Sequence, residues 1–193
     1  CLFVVSAFES VDDATLARLA KGHTVLDMSR ALDIARDAGI EIRPSWMPFT
    51  PWTTHDQITG LLDFVAAHDL VPNVDPVQYT IRLLLPPGSL LLEHPDLAPH
   101  MGAYDPARGS YEWRSADPAM DVLQASLAAI VESHAAVGVD HASTYATLRE
   151  ACGLPALDGL SHDTDRPHLS ETWFCCAEPT EAQLAAVSPR RSA

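Results

Sequence analysis

An α/β fold with a parallel sheet is the architecture the first 92 residues predict. Short apolar runs of strand length alternate with segments of helical periodicity, and those helical segments open on capping residues. Leu2 to Phe8 is an apolar run of the kind buried on both faces of a parallel sheet, and Glu9-Ser10 ends it. Asp12 and Asp13 open a short helix with Leu16 and Leu19 on one face, stopped by Gly22. Thr24 with Asp27 three residues later predicts a capped second helix, buried through Leu26, Leu32, Ile34, Ala35 and Ala38 and ended by Gly39. Ile40 to Arg43 reads as the second strand. A loop with prolines at 44, 48 and 51 leads to Thr53 and Asp56, a further capping pattern, and to a helix carrying Ile58, Leu61, Leu62 and Val65. Val77 to Leu85 reads as the third strand.

Strand, helix, strand, helix, strand predicts right-handed crossovers, in a sheet that is doubly wound or part of a barrel. Functional residues then belong at the C-terminal strand ends. Those ends carry Glu9 and Ser10, then Arg43, Ser45 and Trp46, then Arg82 and the turn Pro86-Pro87-Gly88-Ser89. Two readings stand for the charges: Glu9 as a helix cap with Arg43 and Arg82 in buried ion pairs, or all three as ligand contacts.

Residues 93–193 read as an extension. Glu93 to Asp117 is irregular, with Pro95, Pro99 and Pro106 and a strand at Tyr111-Glu112-Trp113, as in a connector or lid. Pro118 starts a helix running to about Ala136, and Asp140 caps another that Gly153 ends. The rest is loop-like as far as Pro179, after which Thr180 and Gln183 mark a last short helix.

The net charge is −14, from 26 acidic against 12 basic residues, which argues against a nucleic-acid surface because phosphate binding needs clustered Lys and Arg. No stretch approaches the roughly 20 apolar residues of a membrane span, and a cytoplasmic location is the expectation. Walker-type and GxGxxG glycine loops are absent, which excludes nucleotide kinases and dehydrogenases of the usual kind.

Four cysteines, at 1, 152, 175 and 176, match no zinc-finger or disulfide spacing. Adjacent Cys175 and Cys176 do not easily bond to each other, which suits redox exchange, metal or cluster ligation, or a distant thiol. They also read as small apolar residues packed beside Trp173 and Phe174. Glu171 and Glu178 would raise a thiol pKa there, so activation needs a positive partner such as Arg166, or a metal.

Phe8-Glu9-Ser10, Lys21-Gly22-His23-Thr24 and Ala38-Gly39-Ile40 together resemble the fourth-strand region of radical S-adenosylmethionine (radical SAM) proteins. Arg43-Pro44-Ser45-Trp46-Met47-Pro48 resembles their fifth strand and its exit, and Ile81-Arg82-Leu83-Leu84-Leu85-Pro86-Pro87-Gly88 the sixth. The tail Cys175-Cys176-Ala177-Glu178-Pro179 resembles that of the CUAEP/CCAEP-tail subgroup, some of whose members carry selenocysteine where Cys176 stands. The resemblance implies the C-terminal portion of an incomplete (β/α) barrel over residues 1–92, followed by a helical and loop-rich extension.

That family holds a 4Fe-4S cluster on a Cys-x-x-x-Cys-x-x-Cys loop after its first strand and cleaves S-adenosylmethionine to a 5'-deoxyadenosyl radical. This chain lacks the loop, so the resemblance places the cluster ligands, and the N-terminal barrel half as a partner, upstream. It further implies that Glu9 and Ser10 contact the ribose or amino-acid part of S-adenosylmethionine, and that Arg43 and Arg82 meet its carboxylate or an anionic substrate. Cys175 and Cys176 become redox or substrate-proximal thiols acting on a small molecule or peptide. The alternatives are a non-catalytic remnant, or a thiol-exchange or zinc module using His162, His168, Cys175 and Cys176.

Overall fold

The computed structural model describes residues 1–161 and 165–167 and shows a mixed α/β chain. In order, it contains β1 (Phe3–Glu9), α1 (Asp13–Arg18), α2 (Val25–Asp37), β2 (Glu41–Trp46), α3 (His55–Ala67), β3 (Met101–Asp105), β4 (Ser110–Trp113), α4 (Pro118–Val137) and α5 (His141–Ala151). β1 and β2 pair in parallel, from Phe3 opposite Glu41 to Ala7 opposite Ser45, and a register shift then sets Glu9 opposite Trp46. β3 and β4 form an antiparallel hairpin.

The caps act as side-chain chemistry requires. Thr24 and Asp27 close a reciprocal capping box on α2, and Asp117 and Asp140 cap α4 and α5. At α3 the box is built by Thr54 and Gln57, one residue beyond the expected pair. Thr53 is unavailable because its hydroxyl donates to the Pro48 carbonyl at 2.8 Å and accepts from the Thr50 N–H at 2.9 Å. α4 ends on Gly138, which takes the left-handed conformation at φ 73°.

The third expected strand is largely replaced. Residues Pro76–Thr80 form a 3-10 turn, and pairing is confined to a parallel bridge between Phe49 and Arg82. The reason lies in β2. Its odd-numbered residues turn their main-chain groups to β1, as the Glu41 N–H does toward the Leu2 carbonyl at 3.0 Å. Ile42, Pro44 and Trp46 therefore face the opposite edge, and Pro44 has no N–H to offer a ladder there. Two side-chain amides close that edge instead: Asn73 donates to the Ile42 carbonyl at 2.8 Å, and the Gln78 side-chain carbonyl accepts the Trp46 N–H at 2.9 Å. Residues 73, 78 and 82 thus track β2 in the parallel sense without being a strand.

One buried cluster runs from Phe8 to Cys152, so the segments before and after residue 92 share a core. Trp46 lies at its centre, edge-on to Phe8 at 5.6 Å and to Phe64 at 5.9 Å. α5 is locked onto α3 by the Tyr145 hydroxyl, which donates to the Leu62 carbonyl, and by buried Arg149, which meets Asp63 at 2.7 Å. The hairpin is fastened as well: the Trp113 indole N–H donates to the Leu83 carbonyl at 2.7 Å, and the Tyr111 N–H to the Leu85 carbonyl at 2.9 Å. The stretch expected as a connector or lid is therefore a packed element. No helix among the described residues is long and apolar enough to cross a membrane.

Replacing Gln78 by Ala leaves the buried Trp46 N–H without its acceptor. We expect a loss of about 1–3 kcal/mol in chemical denaturation.

Candidate functional site

Two regions carry the expected site residues. The first is the C-terminal end of β1. Glu9 adopts a left-handed backbone at φ 66°, unusual for a residue with a side chain, immediately after the register shift. Main-chain bonds hold it there: the Ser10 N–H donates to the Phe8 carbonyl at 2.8 Å and the Met47 N–H to the Glu9 carbonyl at 2.9 Å. The nearly buried Glu9 carboxylate accepts from Lys21 Nζ at 2.7 Å. Ser10 accepts the Asp12 N–H at 3.2 Å, linking the strand end to the cap of α1. Glu9 and Ser10 are thus brought together at one strand end, with Lys21 as a partner that its place in a helix-ending turn gave no reason to single out.

Arg43 lies three residues before the end of β2, opposite Val5. Its guanidinium is half-buried and donates to the Pro72 and Pro167 carbonyls, each at 3.4 Å. Burial lowers its pKa, opposed by the charges of Asp75 and Glu41. Arg166 works beside it, donating to the Asp69 carbonyl at 2.7 Å, to the Asn73 side-chain oxygen at 3.1 Å and to the Asp69 carboxylate. The two arginines therefore pin residues 165–167 against the loop that closes β2.

Arg82 belongs to the second region. Its guanidinium lies over the Trp113 ring at 3.9 Å, donates to Asp121 at 2.8 Å and to the Trp113 carbonyl at 3.3 Å. Of the two readings open for Arg82, the geometry is that of the partly buried ion pair. Burial raises the Asp121 pKa, but hydrogen bonds from Arg82 and Ser115 outweigh it and hold the carboxyl below its ordinary value. Arg82 lines a cleft of about 1020 Å³ with Arg108, Arg114, His100, Glu112 and Trp113. Arg108 sits in the hairpin turn just before Gly109, whereas Arg114 follows the far end of β4, and no sequence spacing marked the two as partners.

Cys175, Cys176, His162 and His168 lie outside the described residues. Of the other two thiols, Cys1 is exposed, whereas Cys152 is buried beside α5, where burial pushes its pKa up to about 11 despite nearby Arg149. Among the described residues no three His, Cys, Asp or Glu side chains gather as a metal site.

Comparison with protein-family models, curated proteins and solved structures finds no match.

Two outcomes follow from these environments. Asp121 has a depressed folded-state pKa, so its contribution is present above the ordinary carboxylate value near 4 and is lost as pH falls through the folded value. Asp121→Asn should therefore cost about 1–2 kcal/mol near neutrality, allowing for partial exposure, and the variant and parent melting curves should converge as pH falls through the depressed folded-state value. In native-state alkylation at pH 8 followed by peptide mass spectrometry, Cys1 should label readily and Cys152 only after denaturation; equal rates would contradict the buried thiol.

Proposed function

We propose that this chain is the C-terminal part of a radical SAM enzyme of the CUAEP/CCAEP-tail subgroup, acting on a small molecule or peptide. The observation that carries the reading is the free edge of β1. Parallel sheets are ordinarily covered on both faces and flanked by further strands, yet Val4 and Val5 of β1 are 44% and 37% exposed and no strand among the described residues pairs with its outer edge. A preceding barrel strand would cover that edge, which is what an N-terminal barrel half supplies. The parallel succession of β1, β2 and the residue-82 bridge supports the same reading.

The residues present fit the two implied groups unequally. A 4Fe-4S cluster of this family needs a Cys-x-x-x-Cys-x-x-Cys loop, and the cysteines at 1, 152, 175 and 176 do not have that spacing. For S-adenosylmethionine, Glu9 fits: a carboxylate at a strand end accepts hydrogen bonds from ribose hydroxyls or an ammonium group. Lys21 orients it, and the strained backbone aims it. Arg82 is a poorer fit, because Asp121 and Trp113 already engage its guanidinium. When bound together, cluster and S-adenosylmethionine supply a carbon-centred radical, and Cys175 and Cys176 are the thiols proposed to act near the substrate.

The reading frame upstream of Cys1 is the first test. An in-frame Cys-x-x-x-Cys-x-x-Cys loop supports the proposal, and its absence overturns it. In the longer product, Glu9→Gln should weaken S-adenosylmethionine binding about tenfold while the iron-sulfur absorbance stays unchanged. Cys176→Ser should abolish turnover with iron retained; loss of zinc instead would mark a metal module and sink the radical assignment.

A further inference from the structure

We propose that the cleft between the β3–β4 hairpin and the start of α4 binds a small anion bearing a carboxylate or phosphate group. This site is separate from the strand end that carries Glu9, and apart from Arg82 its arginines lie outside the barrel-like residues, so it does not depend on the radical reading.

The first ground is charge. Only 12 lysines and arginines stand against 26 acidic residues in the chain, yet Arg82, Arg108 and Arg114 line one cleft where, among the described residues, Glu112 is the single carboxylate. Asp121 and Asp105 already balance Arg82 and Arg108, so the charge left for an anion in the cleft is that of Arg114. A chain of net charge −14 repels a polyanion at long range, so the fitting ligand is small enough to enter the cleft. The volume of about 1020 Å³ lies at the upper end of the range for small-molecule sites, about 300–1,000 Å³.

The second ground is construction. Asp121 and Asp105 do not line the cleft, but they pair with Arg82 at 2.8 Å and Arg108 at 3.4 Å and so orient both guanidiniums. Trp113 backs Arg82, and its own indole is tied to Leu83. Arg114 is exposed, projects from the residue after β4, and joins no ion pair among the described residues. Its N–H donates to the His100 carbonyl at 3.0 Å, which holds the two cleft walls together. Gly102 permits that approach, since a Cβ there would stand 2.9 Å from the Glu112 Cβ. Arg114, without a carboxylate partner among the described residues, presents a guanidinium fork suited to planar carboxylate or tetrahedral phosphate oxygens, in a cleft that Arg82 and Arg108 also line.

The test is isothermal titration of the 193-residue chain with citrate and, separately, inorganic phosphate, at constant ionic strength set with chloride. Saturable binding of either anion is expected, and the one that binds names the ligand chemistry. Arg114→Ala, at an exposed position that leaves the fold intact, should weaken it roughly tenfold. Glu112→Gln, which removes the one lining carboxylate among the described residues, should tighten it severalfold. No saturable binding of either anion, or equal affinity in the parent and Arg114→Ala, overturns the proposal.

Discussion

β2 has two edges with different needs, and most of the described structure follows from how each is met. One edge pairs with β1. The other contains Pro44, which cannot donate, so a third strand has no continuous ladder to join. Buried main-chain groups must nevertheless find partners, and Asn73 and Gln78 provide them. Their amides fix the path of residues 70–83, and that path determines where Arg82 emerges.

The same path places the charged residues. Once the bridge at Phe49 sets Arg82, its side chain meets Trp113 and Asp121 rather than the end of β1. The hairpin is then drawn against Leu83 and Leu85, and Arg108 and Arg114 arrive at one cleft. At the C-terminal end of β1, the register shift turns Glu9 into a left-handed conformation that Lys21 and Met47 stabilise. A strained carboxylate and an oriented arginine cluster are thus two separate products of one short parallel pair.

Local signals were legible where the physics is local. Thr24 with Asp27 and Asp140 satisfy helix N–H groups within a few residues, Pro118 suits a first turn because it has no N–H to satisfy, and α2, α4 and α5 begin where those residues stand. The cap of α3 slipped by one residue because Thr53 is claimed by a buried turn involving Pro48 and Thr50, a contact that periodicity does not express. Glu9 and Ser10 were recognisable as a strand end; Lys21 was not recognisable as the partner, because ion pairs across 12 residues depend on how the chain turns between them.

By itself the sequence determined the succession of strands and helices from β1 to α3, the caps of α2 and α5, the acidic balance and the identity of the thiols, because each depends on composition or on neighbours a few residues away. Only the tertiary structure decided that Val77 to Thr80 coils instead of extending, that Arg43 and Arg166 pin one segment while Arg82 turns to another, and that three arginines meet in a cleft. These outcomes rest on contacts between distant residues. Such contacts exist only after buried polar groups on β2 have taken their partners.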